Sequence, residues 1–330
     1  MKILITGGTG FIGRETARLL IARGEDVILF ARGEAPRMRL WEDIAEKVKF
    51  VQGDLANWSS VLNAVREHKP DSILHMGSMT SIPSEMDPWS SYRVNCNGMF
   101  HVLEAARLFG VEKVAFTSSI GSVMCPEVTD VMTDFTLQRP RSIYGVTKLF
   151  GELLGRYWNR RFGLDFRALR YPSIIGPGVR AMGVVQCLPW ALEYAVRREP
   201  YDLWLSEDTT FGIMYVKDAA RAIVALHDAR RENMKTMCYN IAGITPAPTA
   251  GEWVKAIKKH IPEAKLGFRP ASEIVEELKE GASRIDDSKA REEWGWELGY
   301  TIDKLIPDFI EEYEKAREAY EATPIPKPPW

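Results

Sequence analysis

The chain opens with Lys2-Ile-Leu-Ile-Thr6-Gly7-Gly-Thr-Gly10-Phe11-Ile12-Gly13, an apolar run that leads directly into a glycine-rich turn. Lys2–Thr6 is predicted as a strand, and residues 13–23 are predicted as an amphipathic helix. Three glycines at three-residue spacing between a strand and a helix allow backbone amides and the helix N-terminus to hold a pyrophosphate. The opening therefore predicts a dinucleotide-binding βαβ unit, in which Gly7, Gly10 and Gly13 contact the cofactor.

The pattern of short β-branched runs and helical periodicity continues beyond this unit. It predicts strands at 26–30, 48–52, 72–75, 114–118 and 165–170, and long helices at 92–109 and 142–162. This alternation indicates an α/β fold, a Rossmann-type doubly wound parallel sheet with a smaller C-terminal substrate-binding cap domain. We assign residues 1–171 and returning segments near 212–242 to the sheet domain. Residues 172–211 and 243–322 are assigned to an interleaved cap, and 323–330 to a loose tail.

Composition excludes several classes of protein. Among 330 residues, 43 Lys and Arg stand against 45 Asp and Glu, so the net charge of −2 does not fit a nucleic-acid binder. No apolar run is long enough to span a bilayer, and a strand begins within two residues of Met1, so we expect a cytoplasmic protein without a signal peptide. Neither the cysteines nor the histidines have the spacing of metal ligands, which predicts free thiols and no metal (Cys96, Cys125, Cys187, Cys238; His68, His75, His101, His227, His260).

The end of the second predicted strand indicates which dinucleotide binds. A carboxylate there would accept hydrogen bonds from the adenosine ribose of NAD, but this chain has Ala31-Arg32. Ala31 removes the carboxylate that would repel a 2′-phosphate, and the Arg32 guanidinium can pair with that phosphate. We therefore expect NADP, with NAD as the alternative. Asp54 and Leu55, after the third strand, are expected at the adenine.

Tyr144 and Lys148 lie four residues apart on the predicted helix 142–162, so they share one face. The ammonium is expected to lower the phenol pKa and to make Tyr144 a general acid or base. Ser119, at the end of the fifth strand, supplies a hydroxyl able to hold a substrate oxygen. These three residues are the predicted catalytic group.

With these motifs the chain resembles the extended short-chain dehydrogenase/reductases, an NAD-dependent epimerase/dehydratase family. The resemblance also draws on His75-Met76-Gly77, Val94-Asn95, Arg170-Tyr171-Pro172 and Tyr215-Val-Lys-Asp218. It implies that Tyr144 is the acid/base, that Lys148 holds the nicotinamide ribose, and that Tyr171 and Pro172 lie against the nicotinamide. It further implies cofactor contacts at Phe11, Ile12, Met76, Gly77 and Asn95, and substrate contacts at Ser81, Ser119, Tyr144, Gly183 and Arg284.

Within this family the chain is similar to the L-threonine 3-dehydrogenases, notably over residues 138–148 and 162–175. It departs from them at Ala31-Arg32, at Val184-Val185 in place of polar residues, and at Gly281 in place of a Trp. These departures imply a larger and less polar substrate than theirs. The function we expect is NADP-dependent interconversion of a secondary alcohol and a ketone on a small to medium polar molecule.

Two other functions stay open. A nucleotide-sugar epimerase with retained NAD(P) would use the same residues, with Arg180 and Arg197 or Arg198 meeting a diphosphate; Ile120-Gly121 after Ser119 argues against dehydration. A non-catalytic NADP-sensing protein would not need Ser119, Tyr144 and Lys148 together. The resemblance also implies a homodimer formed through helices 92–109 and 142–162.

Overall fold

The computed structural model describes residues 1–33, 40–41, 43–124, 131–271 and 284–327. Its strands are β1 Lys2–Thr6, β2 Asp26–Ala31, β3 Val48–Gln52, β4 Ser72–His75, β5 Lys113–Ser119, β6 Val131–Met132, β7 Asp165–Tyr171, β8 Ser173–Ile175, β9 Tyr201–Leu203, β10 Ile213–Tyr215, β11 Cys238–Asn240, β12 Leu266–Phe268 and β13 Arg284–Ile285. Within the described chain, seven of them form one parallel sheet in the order β11-β7-β5-β4-β1-β2-β3. The predicted Rossmann-type α/β fold is confirmed.

The labelled helices are α1 Phe11–Ala22, α2 Trp58–His68, α3 Ser81–Met86, α4 Pro88–Ser91, α5 Gly98–Leu108, α6 Ile143–Phe162, α7 Cys187–Arg197, α8 Val216–Asp228 and α9 Ala250–His260. Further helices cover Ser288–Trp294, Ile302–Lys315 and Arg317–Glu321, and a π-helical turn covers Tyr92–Asn97. None of the helices in the described part of the chain is long and apolar enough to cross a membrane.

Three helices differ from the sequence patterns by more than one residue. Helix α1 begins at Phe11, because Gly10 already has the extended backbone of an N-cap. The predicted helix 92–109 is π-helical over Tyr92–Asn97, its first third. Apolar residues at helical spacing over 302–322 predict one amphipathic helix there, but the structure interrupts it at Ala316, where φ is −131°. Periodicity of apolar residues does not reveal such local changes in hydrogen bonding.

The sheet is covered on both faces. Along β1, Ile3 and Ile5 pack into a core that includes α8 residues Ala222 and Ile223, whereas Leu4 packs into the opposite core with Val102 of α5. Successive side chains of a strand point to opposite faces, so a strand buried on both sides is apolar throughout. This arrangement leaves the carboxyl ends of the strands as the accessible edge of the sheet domain.

The cap has its own core. Helices α7, α9 and Ile302–Lys315 surround the buried side chains of Trp190, Trp253 and Phe309. Between the cap segments the chain returns to the sheet, where β11 pairs with β7. Residues 324–327 have no regular secondary structure.

Candidate active site

The glycine loop is folded so tightly that side chains would not fit. Gly7 has a φ of +65°, and a Cβ there would lie 2.6 Å from the Gly77 Cα. A Cβ at Gly13 would lie 2.7 Å from the carbonyl oxygens of Gly7 and Gly8. The loop lines the cavity at the first turn of α1, where unpaired helical N–H groups favour a phosphate.

A cavity of about 920 Å³ begins at this loop and follows the carboxyl ends of β1, β2, β4, β5 and β7 to the cap. Most of the predicted site residues line it: Gly7, Gly10, Phe11, Ile12, Gly13, Arg32, Asp54, Leu55, Met76, Gly77, Ser81, Ser119, Tyr144, Lys148, Tyr171, Pro172 and Gly183. The predicted cofactor and substrate residues are therefore parts of one continuous cavity.

Tyr144, Lys148 and Ser119 come together inside this cavity. The Ser119 Oγ and the Tyr144 ring are neighbours, because both lie within 4 Å of the position that a Cβ at Gly121 would take. The Lys148 Nζ donates to the Thr117 carbonyl oxygen at 2.7 Å and to the Ser78 Oγ at 3.2 Å, and lies 5.5 Å from the centre of the Tyr144 ring. Ser78 and Thr117 were not predicted, and a backbone acceptor leaves no signal in a sequence.

The pKa of Tyr144 does not follow the prediction. Burial raises this pKa to about 12, and the nearby Ser119 side chain opposes the rise only in part. Burial also lowers the pKa of Lys148 to about 7, against the influence of the Glu152 carboxylate. The expected lowering of the phenol pKa by the ammonium is therefore wrong for this structure, because desolvation disfavours both charged forms.

Two predicted site residues lie outside the cavity lining. The Asn95 amide is occupied by other partners: its Oδ1 accepts from the Met79 N–H at 2.8 Å, and its Nδ2 donates to the Thr147 Oγ1 at 3.0 Å. Asn95 thus braces the loop after β4 against α6. Arg284 is exposed in β13, which pairs with β6. The geometry does not favour direct contact of either residue with a ligand.

Arg32 is exposed at the end of β2 and lines the cavity, next to the buried Ala31. Its backbone carbonyl accepts from the Gln52 Nε2 at 3.2 Å. Arg37 and Arg39, which are close enough to Arg32 in sequence to help it hold a 2′-phosphate, lie outside the described residues, as does Gly281. Asp54, which follows the end of β3, also lines the cavity.

The cap side of the cavity is largely apolar. Val179, Ala181, Val184 and Val185 line it together with the loop after β4. A Cβ at Gly183 would lie 2.5 Å from the Gln186 Oε1, which is the end of a flexible side chain, and 3.6 Å from the Ser81 Oγ. The Thr80 Oγ1 donates to the Met182 carbonyl oxygen at 2.8 Å and joins the two walls.

The arginines considered for a diphosphate have other partners. Arg180 forms two hydrogen bonds with the buried Glu193 carboxylate, at 2.9 and 3.0 Å. Arg197 donates to the Tyr313 hydroxyl at 2.6 Å and approaches the same carboxylate. Arg198 pairs with Glu263 at 3.7 Å on the surface. None of the three lines the cavity, so the structure does not support the predicted diphosphate contact.

Two other sets of side chains, around His227 and at the cysteines, do not form a catalytic or metal-binding site. His227 links the Ser72 Oγ, at 2.9 Å, to the Asp228 carboxylate, at 2.8 Å, but Ser72 is completely buried and inaccessible to a substrate. Cys96, Cys187 and Cys238 are buried free thiols, and Cys125 lies outside the described residues. Among the described side chains there is no His, Cys, Asp or Glu cluster able to hold a metal.

A doubly wound sheet whose glycine loop shares a cavity with Ser119, Tyr144 and Lys148 defines a nicotinamide-dinucleotide enzyme of the Rossmann type. The model of the NAD dependent epimerase/dehydratase family matches residues 3–242, and the chain belongs to this family. It is thus an NAD(P)-dependent enzyme of the extended short-chain dehydrogenase/reductase type, as its motifs predicted.

The chain is similar both to L-threonine dehydrogenases and to a UDP-glucose 4-epimerase. The mitochondrial L-threonine 3-dehydrogenase of Bos taurus is 28% identical over 313 residues, which cover 94% of this chain and 82% of that protein. The holo form of a GalE-like L-threonine dehydrogenase from Cupriavidus necator is 28% identical with a TM-score of 0.85, covering 94% and 99% of the two chains. A UDP-glucose 4-epimerase of Thermus thermophilus in complex with NAD is 25% identical with a TM-score of 0.79, covering 95% and 99%.

Proposed function

We propose that the protein is an NADP-dependent oxidoreductase that interconverts a secondary alcohol and its ketone on a small to medium polar substrate. The observation that carries this proposal is the meeting of Tyr144, Ser119 and Lys148 in the cavity that begins at the glycine loop. A phenol, a hydroxyl and an ammonium in one cavity can hold a substrate oxygen and move its proton.

The residues around the glycine loop fit a nicotinamide dinucleotide. Gly7, Gly10 and Gly13 line the cavity at the N-terminus of α1, which suits a pyrophosphate, and Arg32 offers a cation beside the neutral Ala31. When bound, the dinucleotide supplies the hydride acceptor for oxidation or the hydride donor for reduction. The preference for NADP rests on Arg32 and Ala31.

The protein's own residues orient the substrate and transfer a proton. Tyr144 donates its proton to the substrate oxygen during ketone reduction and takes it back during alcohol oxidation. The pKa of about 12 keeps the phenol protonated at neutral pH, which is the form that reduction requires. Ser119 holds the same oxygen, and Lys148, with a pKa of about 7, carries its charge on the acid side of neutrality.

Replacement of Tyr144 by Phe tests the catalytic assignment. We expect kcat for ketone reduction with NADPH to fall by about 10²- to 10⁴-fold, because the proton donor is lost. NADPH binding, measured by nucleotide fluorescence, should be retained. Tyr92→Phe, an exposed tyrosine outside the cavity, is the matched control. Undiminished turnover by Tyr144→Phe would contradict the catalytic assignment. No turnover by the wild-type protein, with NADPH binding intact, would favour a protein that senses NADP without catalysis.

The apolar wall formed by Val179, Ala181, Val184 and Val185 supports a substrate less polar than L-threonine. The test is to measure kcat/KM for L-threonine and for a panel of larger, less polar secondary alcohols. We expect the larger compounds to be preferred. A preference for L-threonine would show that the wall does not select the substrate.

The likeness to the UDP-glucose 4-epimerase in complex with NAD supports a second candidate, an epimerase that retains its cofactor. The engagement of Arg180 and Arg197 by Glu193 weighs against it. Mass spectrometry of nucleotide left after exhaustive desalting separates the two candidates. Tightly retained dinucleotide would favour epimerisation, and protein that is empty and rebinds NADPH would favour the dehydrogenase.

We further propose a homodimer formed through α5 and α6. Both helices carry exposed apolar side chains, an unusual concentration on a monomer's surface: Phe100, Leu108, Val146, Phe150, Leu153, Tyr157 and Phe162. Pairing this face with its copy would remove it from water.

A further inference from the structure

Three successive residues at the end of β5 meet α6. The Thr117 carbonyl accepts from Lys148, the Ser118 hydroxyl donates to the Glu152 Oε1 at 2.5 Å, and the Ser119 side chain lies beside Tyr144. Tyr144, Lys148 and Glu152 are spaced four residues apart, so they form one face of the helix. Glu152 is the member of this row that the proposed chemistry does not use.

Glu152 is completely buried and fully engaged. Arg170 on β7 binds it with two bonds, Nε to Oε1 at 2.9 Å and Nη2 to Oε2 at 2.7 Å. The Ser122 hydroxyl donates to the same Oε1 at 3.0 Å, and the Gln138 amide donates to Oε2 at 3.0 Å. One carboxylate therefore holds Ser118 and Ser122, which lie on either side of Ser119. Neither Glu152 nor Arg170 lines the cavity.

We infer that Glu152, held by Arg170, is a positioning residue for the oxidoreductase reaction proposed above. It fixes the end of β5 so that the Ser119 hydroxyl stands beside the Tyr144 phenol. Its negative charge, one helical turn beyond Lys148, also favours the ammonium form of that lysine. The inference rests on the proposed function, and it assigns Glu152 a role without any contact with substrate.

The charged groups around this unit determine the direction of the electrostatic effect. Arg170 faces Glu152 from β7 and also meets the Asp134 carbonyl and Asn240, while Arg156 of α6 approaches Cys238 of β11. On the other side, His75 of β4 lies near Lys148 and burial lowers its pKa to about 3, so it is neutral. Glu152 opposes the burial that lowers the pKa of Lys148. Removing its charge leaves Arg170 uncompensated and lowers the Lys148 pKa further.

Glu152→Gln removes the charge with little change in shape, and the readout is the pH profile of NADPH-dependent ketone reduction. We expect the alkaline limb of the profile, where Lys148 loses its proton, to move to lower pH by about one unit. We also expect kcat to fall about tenfold, with NADPH binding at pH 6 within about threefold of the wild-type value.

Two further variants separate charge from position. Glu152→Asp keeps the charge but shortens the reach to Ser118, so the limb should return to its wild-type pH while kcat stays low. Ser118→Ala leaves Glu152 charged but removes the hydrogen bond between Ser118 and Glu152. It should lower kcat without moving the alkaline limb of the pH profile. These two variants also test the inference if Glu152→Gln does not fold.

Asp218→Asn is the matched control, because Asp218 is likewise completely buried, outside the cavity lining and paired with an arginine, Arg221. Unlike Glu152, it binds the backbone of Gly299 and Tyr300 and not the end of β5. It should lower stability and leave the pH profile unchanged. If Glu152→Gln behaves like this control, Glu152 is a structural residue and the inference is overturned. Failure of the proposed function is distinguishable, because Tyr144→Phe would then remain active whatever Glu152→Gln does.

Discussion

Burial controls the protonation of both ionisable groups at the proposed catalytic centre. It raises the pKa of Tyr144 to about 12 and lowers that of Lys148 to about 7, so each group favours its neutral form. Below about pH 7 the ammonium and the protonated phenol coexist, which suits ketone reduction. As the pH rises through the Lys148 pKa, the ammonium is lost. At the scale of single residues, desolvation therefore outweighs the pairing that sequence spacing suggested.

Arg32→Ala tests the nucleotide preference. A charge-assisted hydrogen bond to a phosphate contributes about 1.5–3 kcal/mol, so NADPH affinity should fall about 10- to 100-fold while NADH affinity is unchanged. Titration of nucleotide fluorescence measures both affinities. Arg66→Ala, an exposed arginine of α2 away from the cavity, is the control. Tighter binding of NADH than of NADPH by the wild-type protein would contradict the role given to Arg32.

Helix α6, which carries Tyr144, Lys148 and Glu152, packs close to the sheet. A Cβ at Gly151 would lie 2.9 Å from the Phe116 ring of β5, and one at Gly155 would lie 2.3 Å from the Phe166 ring of β7. Glycine normally weakens a helix by about 1 kcal/mol, so its presence twice on one face is explained by this contact. The close approach lets Lys148 reach the Thr117 backbone.

Gly155→Ala should lower the free energy of unfolding by about 1–3 kcal/mol, because overpacking exceeds the gain in helix propensity. Urea denaturation measures the change. The same substitution in a Phe166→Leu background should cost much less, since the ring that it meets is gone. An equal loss in both backgrounds would show that the Phe166 contact is not the cause.

At the scale of the whole molecule, the C-terminal segment connects the sheet domain to the cap. The Tyr320 hydroxyl accepts from Arg14 of α1 at 3.2 Å, and the Tyr320 carbonyl accepts from Arg180 of the cap at 3.0 Å. Tyr320 also stacks on Tyr313, with ring centres 5.2 Å apart. Tyr320 therefore contacts both α1, the helix that begins at the glycine loop, and the cap residue Arg180, which follows Val179 of the cavity wall.

Leu153→Glu tests the proposed dimer. Leu153 is 57% exposed on α6, and a charge there would be buried without a partner in a two-fold interface, so the variant should be monomeric. Analytical ultracentrifugation measures the state of assembly. Leu137→Glu changes a leucine that is 63% exposed outside α5 and α6, and should leave the dimer intact. A monomeric wild-type protein would refute the proposal at once.

The sequence alone determined the sheet and its glycine loop, because both depend on local patterns. Strands β3 and β4 begin and end at the predicted residues, and α6 begins one residue from the prediction. Gly7, Tyr144 and Lys148 were recognisable because their spacing has meaning within one strand-turn-helix unit or one helix. The NADP preference, the dimer and the cytoplasmic location stay predictions.

Only the tertiary structure decided how distant segments combine. It directed Asn95 to Met79 and Thr147, and Arg180 to Glu193, where the sequence had suggested ligands. It also buried Glu152 against Arg170 and raised the Tyr144 pKa. Hydrogen-bond partners and desolvation depend on which atoms surround a group in space, and residues far apart in the chain supply those atoms.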